Sequence, residues 1–365
     1  MSQQTSRGQV ALDDLRIIDA DAHIFETVDD VLPYLEEKYD FLNKLVFKYE
    51  APDPPYTLFS TSYAAPSSMS SYNMTNDAKT KLTEMTDFGI ERGLLLPTLF
   101  NAIHTINNPR YAVALANAYN SWIQDEFLDE YDEFKAAIVI AAQKPDKAAE
   151  EIDDRASNDD FAAVALAPGG LFPPGGHERY DPIYESAERH GLPIVYHGTD
   201  AAMQSTFPLQ YRWTETFAES HFITHPWKLM WNMGTTIFRG VPERFPDLKH
   251  VFAEAGLGYI PYVQWRLDDI YMEQSAELPW VERLPSEYMS DLYHYTTQPL
   301  GHAKRPTHIV QIINMIGSDR VMYSSDLPHP TFDPPEEFFA PVQSSFDAES
   351  LAGMMGGTAA GLFGF

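Results

Sequence analysis

Eight short apolar runs, rich in β-branched residues, alternate along this chain with longer amphipathic segments. No other feature restricts the fold as much. The runs fall at residues 16–21, 92–96, 136–141, 162–167, 193–197, 250–254, 292–296 and 320–325, and helical periodicity lies between them at 109–131, 145–157, 181–190, 260–273, 306–316 and 348–363. Strands that alternate with helices of this length call for parallel βαβ units. Eight such units fit a closed (β/α)8 TIM barrel better than an open sheet, and no Gly-x-Gly-x-x-Gly follows the first run. The 365 residues then divide into a tail at 1–11 and one barrel domain at 12–365. The main irregularity is the excursion at 25–79, which carries Pro52, Pro54 and Pro55 and a Ser/Tyr/Asn/Met-rich patch at 67–76. After the first strand of a barrel, such an insertion is expected to be a lid-like segment or an oligomer contact, with a disordered loop as the plain alternative.

Composition narrows the partners. Hydrophobic residues make up 44%, enough for a large core. The formal net charge is -28, and 11 of the 25 basic residues are lysine. Such a surface repels nucleic acid and anionic membranes and leaves a small-molecule substrate as the expected partner. It fits either an ordinary acidic enzyme or a protein adapted to high salt, where self-repulsion is screened. There is no cysteine, hence no disulfide, thiolate ligand or Cys nucleophile. No apolar run approaches the ~20 residues that span a bilayer, and the first residues lack a signal-peptide core. A soluble, cytoplasmic protein is expected.

The first run ends in Ile17-Ile18-Asp19-Ala20-Asp21-Ala22-His23. In a strand, residues i and i+2 share a face, so Asp21 and His23 project together from its C-terminal end. A hard oxygen beside an imidazole nitrogen suits a divalent metal. Three later runs end in similar chemistry: Tyr196-His197-Gly198, Phe252-Ala253-Glu254-Ala255-Gly256, and Ser324-Ser325-Asp326-Leu327-Pro328-His329. A barrel gathers all its C-terminal strand ends at one mouth. Asp21, His23, His197 and Asp326 can then close on one ion, with Glu254 and His329 facing the same opening. Each has a plainer reading: a strand-end histidine as a hydrogen-bonded loop residue, an aspartate as a helix N-cap. The other histidines, His104, His225 and His294 among them, are read as loop or helix-face residues. The aromatic content is read as core packing, with Trp227, Trp231 and Trp265 in that core. Arg239 and Arg266 are candidate carboxylate clamps or, equally, surface ion pairs.

The chain resembles the amidohydrolase-related family, in the branch that holds aminocarboxymuconate-semialdehyde and resorcylate-type decarboxylases. The resemblance rests on Ile18-Asp19-Ala20-Asp21-Ala22-His23, on Tyr196-His197-Gly198, and on the stretch from Arg239-Gly240-Val241-Pro242 to Pro246-Asp247-Leu248. It continues through Thr296-Thr297-Gln298-Pro299, Tyr323-Ser324-Ser325-Asp326-Leu327-Pro328-His329 and Gly356-Gly357-Thr358-Ala359. It implies one divalent ion, zinc or manganese, held by Asp21, His23, His197 and Asp326, and a homodimer. Relatives with two ions use a lysine at the end of strand four. Here that stretch reads Ala163-Val164-Ala165-Leu166-Ala167-Pro168. Many decarboxylases of the family carry a histidine where this chain has Glu254. A glutamate serves as base or acceptor but supplies no imidazolium, so Glu254 is expected either to act on the substrate or to support another site residue.

One ion with an open position supports two reactions. It activates water for attack on an ester, lactone or amide. Alternatively it clamps the carboxylate and hydroxyl of a small aromatic or enoic acid while Asp326 protonates the carbon that loses carbon dioxide. The family resemblance favours the second. A barrel that has kept the fold without catalysis is the third alternative.

Overall fold

In a computed structural model, the structure describes residues 10–39, 41–42, 77–168, 171–198, 217–329 and 331–365. All eight expected strands form: β1 (Ile18–Ile24), β2 (Arg92–Pro97), β3 (Phe134–Val139), β4 (Phe161–Ala165), β5 (Ile194–His197), β6 (His250–Ala253), β7 (Tyr293–Thr296) and β8 (Val321–Met322). They pair in parallel and in chain order. Three backbone hydrogen bonds join the last segment to the first: Ala20 N to Tyr323 O, His23 N to Leu327 O, and Asp326 N to Asp21 O. The fold is therefore a (β/α)8 barrel. Most of the 25–79 excursion lies outside the described residues.

Helices α1 (Ala78–Asp87), α2 (Pro109–Ile123), α3 (Pro145–Arg155), α4 (Asp181–Arg189), α5 (Phe217–Phe238), α6 (Ile260–Gln274), α7 (Pro306–Ile316) and α8 (Pro335–Val342) follow the eight strands in turn. Their starts are written in the sequence. Asp77 caps α1 by accepting from Thr80 N, Asn108 caps α2 by accepting from Arg110 N, and proline opens α2, α3 and α7 at a position whose N–H would lack a helical partner. Among the described residues, no helix is long and apolar enough to cross a membrane.

The core lies between barrel and helices. Tyr196 stacks on Phe252 with ring centroids 4.9 Å apart, and Phe252 meets Tyr293 at 5.1 Å. Buried tyrosines must place their hydroxyls. Tyr184 of α4 pairs with Tyr196 (3.1 Å) and Thr236 of α5 with Tyr293 (2.8 Å). The aromatic content is core packing here, but not for the three tryptophans. Leu229, Met233 and Ile237 form the buried row of α5, and Ile260, Val263 and Leu267 that of α6. Trp227, Trp231 and Trp265 sit two residues out of phase with those rows, which turns them to the opposite face. They are 40%, 54% and 64% exposed. Arg266 is an exposed residue paired with Asp269, not a clamp in the barrel mouth.

Candidate metal centre

Asp21 and His23 leave the same face of β1, and His197 ends β5. Asp326 follows β8 at φ +63, in the left-handed region that asparagine and aspartate tolerate best. The structure brings all four together, each at most 2% exposed. Nε2 of His23 lies 2.8 Å from Nε2 of His197 and 3.1 Å from Oδ1 of Asp21. That carboxylate oxygen is 3.2 Å from Nε2 of His197, and Oδ1 of Asp326 is 3.6 Å from Nε2 of His23. Ligand atoms of Asp21, His23 and His197 form one close set, and those of His23, Asp326 and His329 a second that shares His23.

The surrounding hydrogen bonds assign the ring protons. Nδ1 of His197 has the Gly198 carbonyl at 2.5 Å, the Asn101 amide nitrogen at 3.0 Å and Oε2 of Glu254 at 3.4 Å, and the short carbonyl contact places the hydrogen on Nδ1. On the other side, Thr98 Oγ1 lies 3.3 Å from Nδ1 of His23 and 3.2 Å from Nε2 of His329, while Nδ1 of His329 donates to Asp326 Oδ1 at 2.5 Å. With one hydrogen on each imidazole, the chain runs from His23 to Thr98, from Thr98 to His329, and from His329 to Asp326. Both Nε2 atoms therefore turn lone pairs toward each other at 2.8 Å. Asp21 Oδ2 is buried with no hydrogen-bond partner. Two facing lone pairs and an orphaned carboxylate oxygen need a proton or a cation between them, and the donor set of two imidazoles and two carboxylates fits a divalent ion.

Electrostatics agree. Burial alone would raise the Asp21 carboxyl, but His197 and His23 outweigh it and hold it far below the usual range. Burial and the neighbouring His329, only partly offset by Asp21, push His23 down to about 4. Burial also opposes charge on His197, but Asp21 and then Asp326 outweigh it and raise that histidine above its ordinary value. Without metal the proton in the site therefore belongs to His197, and a cation must displace it. Below the raised value of His197 the proton would compete with an ion bound at its Nε2, so apparent Mn2+ affinity should fall about tenfold per pH unit there and level off above it. Titrations by calorimetry at pH 6 and pH 8, in buffers of different ionisation enthalpy, should show about one proton released per ion at the lower pH.

Several residues that hold the site were not singled out in the sequence. Gln298 donates to Oδ2 of Asp326 at 2.8 Å and thereby fixes its second oxygen. Asn101, anchored on Pro97 O at 2.6 Å, lies 3.0 Å from Nδ1 of His197. Asp19 accepts from Asp21 N at 3.0 Å and Ser325 N at 2.9 Å, and also from the Ser325 hydroxyl, which ties β1 to the segment carrying Asp326. Burial lifts its carboxyl to about 6. Buried Lys81 of α1 donates to Leu327 O at 2.6 Å and braces the same segment from outside. Gln298 lies within a quoted motif and Thr98 directly follows β2, so position at a strand end was the available signal. His225 of α5, read as a helix-face residue, instead reaches the mouth, with Nε2 3.5 Å from Oε2 of Glu254. His329 lies beside the cluster, its Nδ1 2.5 Å from Asp326 Oδ1 and its ring centroid 4.4 Å from that of His23.

A parallel barrel with a buried two-histidine, two-carboxylate cluster at its C-terminal mouth is a metal-dependent enzyme architecture. Residues 18–365 match the family model described as Amidohydrolase, and the chain belongs to that family. It is 26% identical over 274 residues to the gamma-resorcylate decarboxylase of Rhizobium sp. (strain MTP-10005), covering 71% of this chain and 79% of the relative. Its fold resembles an amidohydrolase from Mycobacterium avium subsp. paratuberculosis, with a TM-score of 0.76, 19% identity and coverage of 97% and 100% of the two chains. It also resembles the 5-carboxyvanillate decarboxylase of Novosphingobium aromaticivorans, solved with manganese and 4-hydroxy-3-methoxy-5-nitrobenzoic acid, at TM-score 0.71 and 15% identity over the full length of both.

Proposed function

We propose that this protein is a metal-dependent lyase that decarboxylates a small hydroxylated aromatic acid, with residues 12–365 forming its barrel domain. The observation that carries the reading is the pair of imidazole Nε2 atoms, 2.8 Å apart beside the unpartnered Asp21 Oδ2. Similarity to gamma-resorcylate decarboxylase supports the choice of lyase over hydrolase. Asp21, His23, His197 and Asp326 would hold one divalent ion. When bound, Mn2+ or Zn2+ supplies a Lewis acid for the carboxylate and adjacent hydroxyl of the substrate.

The chain's own groups do the rest. Asp326 delivers a proton to the ring carbon bearing the carboxylate, and a C–H bond forms there. The ring–carboxylate bond then breaks, its electron pair returns to the ring, and carbon dioxide leaves. His329, hydrogen-bonded to Asp326 Oδ1 and partly open to solvent, takes up a proton from water and returns one to Asp326 after each turnover, while Thr98 and Gln298 keep both residues oriented. Burial of Asp326 keeps bulk water from competing for that proton.

Assay of the Mn2+-loaded protein with 2,6-dihydroxybenzoate and 5-carboxyvanillate, beside a panel of lactones and esters, tests the assignment. Carbon dioxide release from an aromatic acid is expected, and turnover of lactones or esters alone would overturn the lyase reading. The same reading includes a cytoplasmic homodimer. The exposed Trp227, Trp231 and Trp265 support the dimer, and light scattering should return twice the chain mass.

A further inference from the structure

Glu254 directly follows β6, and one oxygen of its carboxylate stands behind His197. Oε2 lies 3.4 Å from Nδ1 of His197, behind the Nε2 that points at Asp21 and His23. The same oxygen lies 3.5 Å from Nε2 of His225. We propose that Glu254 is a positioning residue: it backs His197 and ties His225 of α5 to the barrel mouth. The proposal rests on the metal-site reading above.

Two local features favour it. Glu254 has φ +58, and with Asp326 it makes up the non-glycine residues of positive φ among the described residues. Strain of this kind persists where surrounding structure imposes it, commonly at a working site. Thr296 Oγ1 accepts from Glu254 N at 3.2 Å and holds that conformation. Gly198 supplies the room. A Cβ there would stand 2.1 Å from Cδ2 of His225 and 2.8 Å from the Glu254 carbonyl oxygen, so only a glycine after His197 lets both approach. The Nδ1 hydrogen of His197 goes to the Gly198 carbonyl at 2.5 Å, and the Glu254 oxygen 3.4 Å behind the same nitrogen confines the ring to the plane in which Nε2 meets Asp21 and His23.

The test is the Mn2+ dissociation constant of the full chain, wild type against Glu254→Ala, Glu254→Gln and His225→Phe, with thermal melting of each metal-free protein. Glu254→Ala should weaken Mn2+ binding about 10–100-fold. Glu254→Gln keeps an oxygen and the side-chain length behind His197 and should recover most of that loss, whereas His225→Phe should leave the constant within a few-fold and lower turnover. Wild-type Mn2+ affinity in a folded Glu254→Ala protein that has lost turnover would overturn the proposal and put the carboxylate on the substrate. If Glu254→Ala does not fold, Glu254→Gln decides: rescue of turnover with Mn2+ affinity near wild type supports positioning, and lost turnover with unchanged affinity overturns it. A wild-type protein that takes up no Mn2+ would instead sink the metal-site reading itself.

Discussion

Asp326→Asn should lower carbon dioxide release by about 10²–10⁴-fold, the span of a lost general acid. The substitution keeps the shape of the site while removing the charge and the proton, so metal content is measured beside the rate. Asparagine adopts the left-handed region about as readily as aspartate, so φ +63 adds little strain. Its side chain still offers an oxygen to the Gln298 amide, which donates to Oδ2 at 2.8 Å in the native protein. What it lacks is a proton to give and a charge to receive the His329 N–H. Steady-state turnover by the Mn2+-loaded variant checks this, and a rate within tenfold of wild type would remove Asp326 from the proton path. His329→Gln should fall in between, since Asp326 can then recover its proton only more slowly.

His197→Ala should abolish stoichiometric metal binding and, with it, decarboxylation. His197 is the contact point of the cluster. Its Nε2 meets both His23 and Asp21, and its Nδ1 is held by Gly198 and Glu254. Removal leaves His23 and Asp21 on one strand with Asp326 as the remaining partner at 3.6 Å. The loss should exceed the ~10–100-fold typical of removing a group behind a ligand, and so exceed that of Glu254→Ala. Elemental analysis after dialysis should fall from about one ion per chain to almost none. Full occupancy in the variant would mean that the ion sits elsewhere.

The barrel was legible because its signal is local. Each strand is a short apolar run with a turn after it, and the order of eight runs leaves little choice of topology. Boundaries blurred where distant partners decide them. The last run was expected to extend over 320–325, but β8 stops at Met322 because Ser324 and Ser325 turn their N–H groups to Thr297 Oγ1 and Asp19 Oδ1. The expected helix over 348–363 forms, with a wider turn at Gly353–Gly357 that presses Gly356 against the backbone of Arg16 and Ile18. A β-carbon at Gly356 would sit 2.5 Å from Arg16 O.

The proposed ligands were legible for the same reason as the strands: each ends a recognisable run. The groups that orient them were not. Thr98, Asn101 and Gln298 are ordinary polar residues in sequence, and their partners lie 75, 96 and 28 positions away. Glu254 was visible as a departure from the family pattern, but the direction of its carboxylate depends on an unusual φ and on a histidine brought in by α5. The tryptophans were misread because a helix near the core has an outside as well as an inside.

The central claim, one divalent ion held by Asp21, His23, His197 and Asp326, is tested most directly by anomalous diffraction from crystals loaded with Mn2+ or Zn2+. A single strong peak is predicted, bonded to all four residues at about 2 Å. A peak more than about 5 Å from that cluster, or no peak at saturating metal, would contradict the account, since direct metal–ligand bonds cannot span that distance.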